Sequence, residues 1–191
     1  MANYDTIPDM GSGLVSTITG LPPVQRHIVG HDTHGRSVYL DSPAIKYYPV
    51  PNAGGTARSY AIASVPAVLH EDADLKAYLS ADGPTSYTMK NIVPTTPGAN
   101  LLVVDLIPGA KSQHHQTVSI DFSICVSGEI VHELDSGEEV RLFPGDHIIQ
   151  RGTMHRWKNG SDTKPARFIA VTLPCETFNI GGNQLQEKHL K

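Results

Sequence analysis

The chain has 191 residues, 39% hydrophobic and 18% charged, with a formal net charge of −4. That length supports one domain with its own core, and the low, slightly acidic charge excludes the basic face that a nucleic-acid partner requires. Its 17 glycines and 14 prolines favour turns and short strands, which excludes coiled coils and helical bundles.

Two cysteines, Cys125 and Cys175, are too few for a disulfide framework. The opening MANYDTIPDMGSGLV lacks a basic region followed by an apolar run, so no secretory signal is expected. No apolar stretch approaches the roughly 20 residues that span a bilayer. A cytoplasmic protein without membrane contact is the expectation.

Residues 1–20 carry Gly, Ser and Thr without periodicity and read as a loose tail. Arg26–Val29 and Ser37–Leu40 are β-prone runs around GHDTHG, the signature of a hairpin. Arg58–Val65 reads as another strand. Asp72–Leu79 has helix formers, with Leu75 and Leu79 four apart and acidic residues at its start. Gly83-Pro84 breaks that helix, and the following stretch to Asn100 is either a lid or a connector. Residues 21–100 are thus an N-terminal extension and connector. Its strand-like runs over 24–65 suit either pairing across a homodimer axis or extending the chain's own sheet.

From 101 to 175 the sequence reads as consecutive short strands. Pro108-Gly109, Ser127-Gly128, Asp135-Ser136-Gly137, Pro144-Gly145-Asp146 and Arg151-Gly152 stand between them. This spacing indicates an all-β barrel or sandwich. Residues 176–191 are polar and read as a mobile C-terminal tail.

Strand parity selects the interior side chains. Ile130, His132 and Leu134 share one face, so His132 points inward as a catalytic candidate or as a hydrogen-bonded core histidine. His27, His31, His34, His70 and His189 fall in turns or tails and read as surface residues. His114 points away from its neighbour His115, toward an outer face.

The segment from Gly109 to Asp121, followed by Gly128, resembles the first cupin motif. Five residues separate Gly109 from His115, the position of the first metal-ligating histidine. Pro144-Gly-Asp together with Gly152, His155 and Asn159 resembles the second motif. The resemblance spans about residues 100–175 and implies a double-stranded β-helix, or jelly-roll, barrel with an N-terminal strand extension and one short helix. The motif's second histidine falls at Thr117 and its glutamate at Asp121. His115, Asp121 and His155 would remain to hold a divalent ion such as Fe, Mn, Ni or Zn, or the altered motif marks a metal-free barrel. GHDTHGRSVYL, PGAKSQHHQTVSIDF and IIQRGTMHRWKN look like small cupins of microbial and fungal secondary-metabolite gene sets.

On that fold Thr117, Ser123, Gln150 and Trp157 become candidate substrate contacts, and His132 and His155 candidate acids or bases. The resemblance implies a metal-assisted lyase or isomerase acting on a β-oxo or β-hydroxy carbonyl of polyketide type. An Fe(II) dioxygenase and a non-catalytic binding barrel are the alternatives. Proton transfer next to a carbonyl suits an apolar cavity offering imidazoles and a Lewis acid.

Overall fold

The computed structural model describes residues 15–190. In chain order it contains β1 (Ile28–His31), β2 (Ser37–Leu40), β3 (Tyr47–Val50), β4 (Gly54–Ile62), α1 (Ala73–Leu79) and β5 (Ala99–Leu106). There follow β6 (His114–Gln116), β7 (Ser119–Ser127), β8 (Ile130–Leu134), β9 (Glu139–Leu142), β10 (His147–Arg151), β11 (His155–Asn159) and β12 (Ala166–Pro174). Three short strands end the chain: β13 (Asn179–Ile180), β14 (Asn183–Gln184) and β15 (Lys188–Leu190). No described helix is long and apolar enough to cross a membrane.

Two antiparallel sheets carry the architecture. One has six strands in the order β10-β7-β12-β5-β4-β3, the other five in the order β15-β6-β11-β8-β9. The jelly-roll reading holds, with one correction: among the described residues no hydrogen-bonded ladder joins the two sheets into a closed barrel. Side chains join them instead. Leu102, Leu106, Cys125, Phe168 and Ala170 from the first sheet pack against Ile130, Leu142 and Trp157 from the second. Alternation drives this, since β7 buries Ser119, Asp121, Ser123 and Cys125 while its intervening residues face outward.

The N-terminal extension divides. β3 and β4 extend this chain's own sheet beyond β5, whereas β1 and β2 form a separate ribbon. Gly54 lets β4 approach β5: its φ is +134°, and a Cβ there would lie 1.9 Å from the Asp105 carbonyl oxygen. Residues 1–14 of the expected loose tail lie outside the described residues. Its remainder is seated: Val15 and Tyr47 exchange backbone hydrogen bonds of 2.9 and 2.7 Å, and Ile18 packs with Ile45, Tyr47, Ala57 and Val103. Apolar residues at 15 and 18 cover an otherwise open sheet face.

The stretch from Pro84 to Asn100 is stapled down as a wall. The buried Arg58 guanidinium donates to the carbonyls of Pro84, Ser86 and Asn91, each at 2.9 Å. Fixed forks of this kind hold several acceptors at once. The C-terminal tail also departs from expectation. Phe178 and Leu185 bracket the β13–β14 hairpin through a 2.8 Å backbone bond, Leu185 is buried, and β15 pairs with β6.

Candidate active site

The site lies between the two sheets, where β6 and β11 of one face β5, β7 and β12 of the other. His115 and His155 stand opposite one another in register across β6 and β11, with ring centroids 4.3 Å apart. His132, paired with Trp157 across β8 and β11, adds a third imidazole with its centroid 5.1 Å from that of His155. Trp157 stacks on Phe168 at 4.6 Å and closes the apolar side.

Hydrogen bonds assign the imidazole tautomers. His115 Nδ1 donates to the Gln113 carbonyl at 3.0 Å, and His155 Nδ1 to the Thr153 carbonyl at 2.9 Å. A carbonyl only accepts, so Nε2 of each neutral ring keeps its lone pair. Gln150 Nε2 donates to the Thr153 carbonyl at 2.8 Å, which turns its Oε1 toward His132 Nε2 at 3.0 Å. His132 therefore carries its proton on Nε2.

Burial sets the charge states. Desolvation holds the His115 and His132 imidazoles below their ordinary range. His155 is pushed down to about 3, by desolvation first and then by its histidine neighbours. Desolvation acts the other way on a carboxyl, raising Asp121 to about 6. Asp121 Oδ1 is buried without a hydrogen-bond partner. The result is three neutral imidazoles beside a carboxyl group that titrates near neutrality.

A cavity of about 160 Å³ runs along these groups. Its walls bring together His115, Thr117, Asp121, Ser123, His155 and Trp157. His132 and Gln150 are absent from them. Both are buried, and they bond to each other behind His155. Gln150 thus orients His132, a task strand parity alone does not reveal. Thr117 Oγ1 shares a hydrogen bond of 2.8 Å with Ser119 Oγ.

Leu102, Val104, Phe168 and Thr172 also line the cavity and were missed in the sequence, although alternation along β5 and β12 carries the signal. His189 is exposed, as read there, and its ring also stacks near that of His115, with centroids 6.1 Å apart. The Gly181-Gly182 hairpin signal before it was the available clue. His114 does face outward, where its Nε2 lies 3.8 Å from Glu133 Oε1. Hydrogen bonds from Arg156 and Lys158 hold Glu133 down to about 2.

The donor set offers a metal ion two free imidazole Nε2 atoms and one carboxylate with an orphaned oxygen, a chemically suitable combination. Yet no three His, Cys, Asp or Glu side chains among the described residues converge closely enough to hold an ion. His115 and His155 form a pair, and Asp121 lines the same cavity without completing a triad.

Residues 102–172 match the family model described as the cupin domain. The chain is 31% identical over 173 residues to the cupin-domain-containing oxidoreductase fogC of Aspergillus ruber, covering 88% of this chain and 81% of that protein. It is 32% identical over 168 residues to the cupin-domain-containing oxidoreductase srdB of Neurospora crassa, covering 87% and 81%. It is 36% identical over 165 residues to the phomopsin biosynthesis cluster protein C' of Diaporthe leptostromiformis, covering 84% and 83%. These similarities extend well beyond the two motifs into the N-terminal extension, and the chain belongs to the cupin-domain family.

Proposed function

We propose that this protein transfers a proton at the carbon next to a carbonyl of a compact, largely apolar small molecule, as an isomerase or lyase. One observation carries this reading: a carboxyl group titrating near 6 and an imidazole with a free Nε2 line the same apolar cavity. Groups of this kind exchange protons at neutral pH without large cost.

In this reading His115 Nε2 removes the proton, because its Nδ1–H is already committed to the Gln113 carbonyl. Asp121, in its protonated fraction, donates to the carbonyl oxygen as negative charge develops there. Thr117 and Ser123 hydroxyls line the cavity as further donors. His155, held far below neutrality, accepts a hydrogen bond through Nε2 and takes up a proton poorly. His132 and Gln150 fix the ring behind it. Trp157, Phe168 and Leu102 exclude water, which strengthens each of these interactions.

The test is solvent exchange. Cyclohexanone incubated with the protein in D2O under argon is expected to acquire deuterium next to its carbonyl, followed by NMR. His115→Ala and Asp121→Asn are expected to abolish the excess over buffer. No exchange by the wild-type protein, with cyclohexanone or a panel of 3-oxo acids, overturns the reading.

A second reading is metal-dependent oxidation. It is favoured by the free Nε2 atoms of His115 and His155, by the orphaned oxygen of Asp121 in the same cavity, and by relatives named oxidoreductases. His115 and His155 would hold the ion, with Asp121 of the same cavity as the candidate third donor. A bound divalent ion would supply Lewis acidity or redox chemistry at that place. Oxygen-dependent turnover together with one equivalent of metal, lost in His115→Ala, distinguishes it from proton transfer.

A further inference from the structure

Two cavities meet at His115. The inner chamber measures about 160 Å³ and an outer cavity about 510 Å³, and both have Ile92, His115 and Thr117 in their walls. An apolar cavity of about 150 Å³ holds one benzene molecule. A ligand larger than one ring therefore reaches the histidines only by extending into the outer cavity.

The C-terminal strand builds the far wall of that cavity. β15 supplies His189, preceded by Glu187, and Lys90, Pro94 and Cys175 also line the space. β6, which carries His115, has one register pair with β11 but three with β15. The strand holding the central histidine is thus secured chiefly by the chain's last residues. The His189 ring lies nearly parallel to that of His115, with 16° between planes, and its Nε2 is 3.3 Å from Glu187 Oε1. Leu185 seats the segment against Gly152, where an added Cβ would stand 3.0 Å from Leu185 Cδ2.

The remaining wall is fixed from the other side. The Ile92 carbonyl accepts from Thr172 Oγ1 at 2.6 Å and from Asn100 Nδ2 at 2.8 Å. Lys90 Nζ sits over the Tyr48 ring, 4.8 Å from its centroid, and forms no ion pair among the described residues.

We propose that the outer cavity is a second binding compartment of this site, walled by the C-terminal strand, with His189 as a positioning residue for His115. The ligand is an elongated amphipathic molecule. Its apolar end, about the size of one ring, fills the inner chamber, and a longer arm ending in a carboxylate lies toward Lys90 and His189. This rests on the reading of the inner chamber as the place of reaction.

Trp157 is the chain's only tryptophan, so protein labelled with 5-fluorotryptophan gives one fluorine resonance from the chamber wall. Cyclohexanone and 4-cyclohexylbutanoate are the probes. Both are expected to shift the resonance, with the acid binding about tenfold or more tighter. His189→Ala and Leu185→Asp are expected to remove that advantage. Lys90→Ala is expected to weaken the acid alone. In histidine-labelled protein, His189→Ala is expected to move the His115 ring nitrogen signals, and His189→Phe, which keeps a stacked ring, to restore them.

An acid that binds no tighter than cyclohexanone overturns the proposal. So does an advantage that survives His189→Ala, or one that Lys90→Ala leaves intact. Should the variant at Leu185 fail to fold, the two surface substitutions still decide. Failure of the proton-transfer reading is separate, appearing as absent deuterium exchange while both probes still bind.

Discussion

The Thr153 carbonyl joins Gln150 to His155: it accepts from Gln150 Nε2 at 2.8 Å and from His155 Nδ1 at 2.9 Å. Through the bond from His132 to Gln150, one backbone oxygen orients two of the three imidazoles. Gln150→Leu leaves the His132 Nε2–H without its acceptor in a buried place. It is expected to cost about 1–3 kcal/mol in urea unfolding, and to change the ring nitrogen signals of both His132 and His155.

Asp121 sets stability against function. Its folded pKa, about 6, lies above the ordinary carboxyl value of 3.8, so the fold prefers the protonated form. Stability is therefore lost as pH rises through that interval. Asp121→Asn removes this cost and is expected to unfold about 1–3 kcal/mol later than wild type at pH 7.5. The same variant is expected to lose solvent exchange. Equal stability of the two proteins at pH 7.5 would contradict the assignment.

The histidines act at the acid side. Burial holds His155 down to about 3 in the fold, against 6.5 for an ordinary imidazole, so the unfolded chain binds protons first. Its stabilising contribution is fully present above about pH 6.5 and is lost as pH falls toward 3, by at most about 1.4 kcal/mol per pH unit for one group. His155→Gln is expected to flatten the stability profile between these limits, read from urea midpoints across pH.

Trp157 packs edge-on to His132, at 4.6 Å, and stacks on Phe168. Trp157→Ala is expected to destabilise the protein by about 3–5 kcal/mol, and Trp157→Phe by less. Both enlarge the inner chamber, so 2-decalone is expected to bind the Phe variant more tightly than the wild-type protein.

Asp105 pairs with Arg167 through both carboxylate oxygens, at 2.6 and 2.7 Å, deep against β12. Thr19 Oγ1 also reaches Asp105, at 3.1 Å, and Arg167 reaches the Pro22 carbonyl at 2.8 Å. Asp105→Ala strands a buried guanidinium and is expected to cost about 3–5 kcal/mol. Hydrogen exchange is expected to rise over residues 19–24, since the pair anchors that segment.

The sheets were legible because alternation and turn residues agree along 101–175. Asp121, Ser123 and Cys125 alternate onto the inner face of β7, and His114 and His115 diverge as adjacent strand residues must. The cupin motifs led to His115 and His155. Parity does not measure depth, and that is why His132 and Gln150, both correctly inward, belong behind the cavity and not on its wall. Composition also misleads at the ends: residues 176–190 are polar, yet buried Leu185 and the pairing of β15 with β6 seat them. Ile92 carries no motif at all, and its place follows from the Thr172 and Asn100 side chains that hold its carbonyl.

The two sheets are separate ladders that touch only through side chains, and this divides the molecule's tasks. Among the described strands no hydrogen-bonded ladder crosses from one sheet to the other, so the chamber's volume is not tied to a shared register. Exchanging Val104, Ala170 or Leu102 reshapes the space in front of His115 while leaving strand pairing untouched. The protein's chemistry and its choice of ligand are thus written on different residues, and each is free to change without the other.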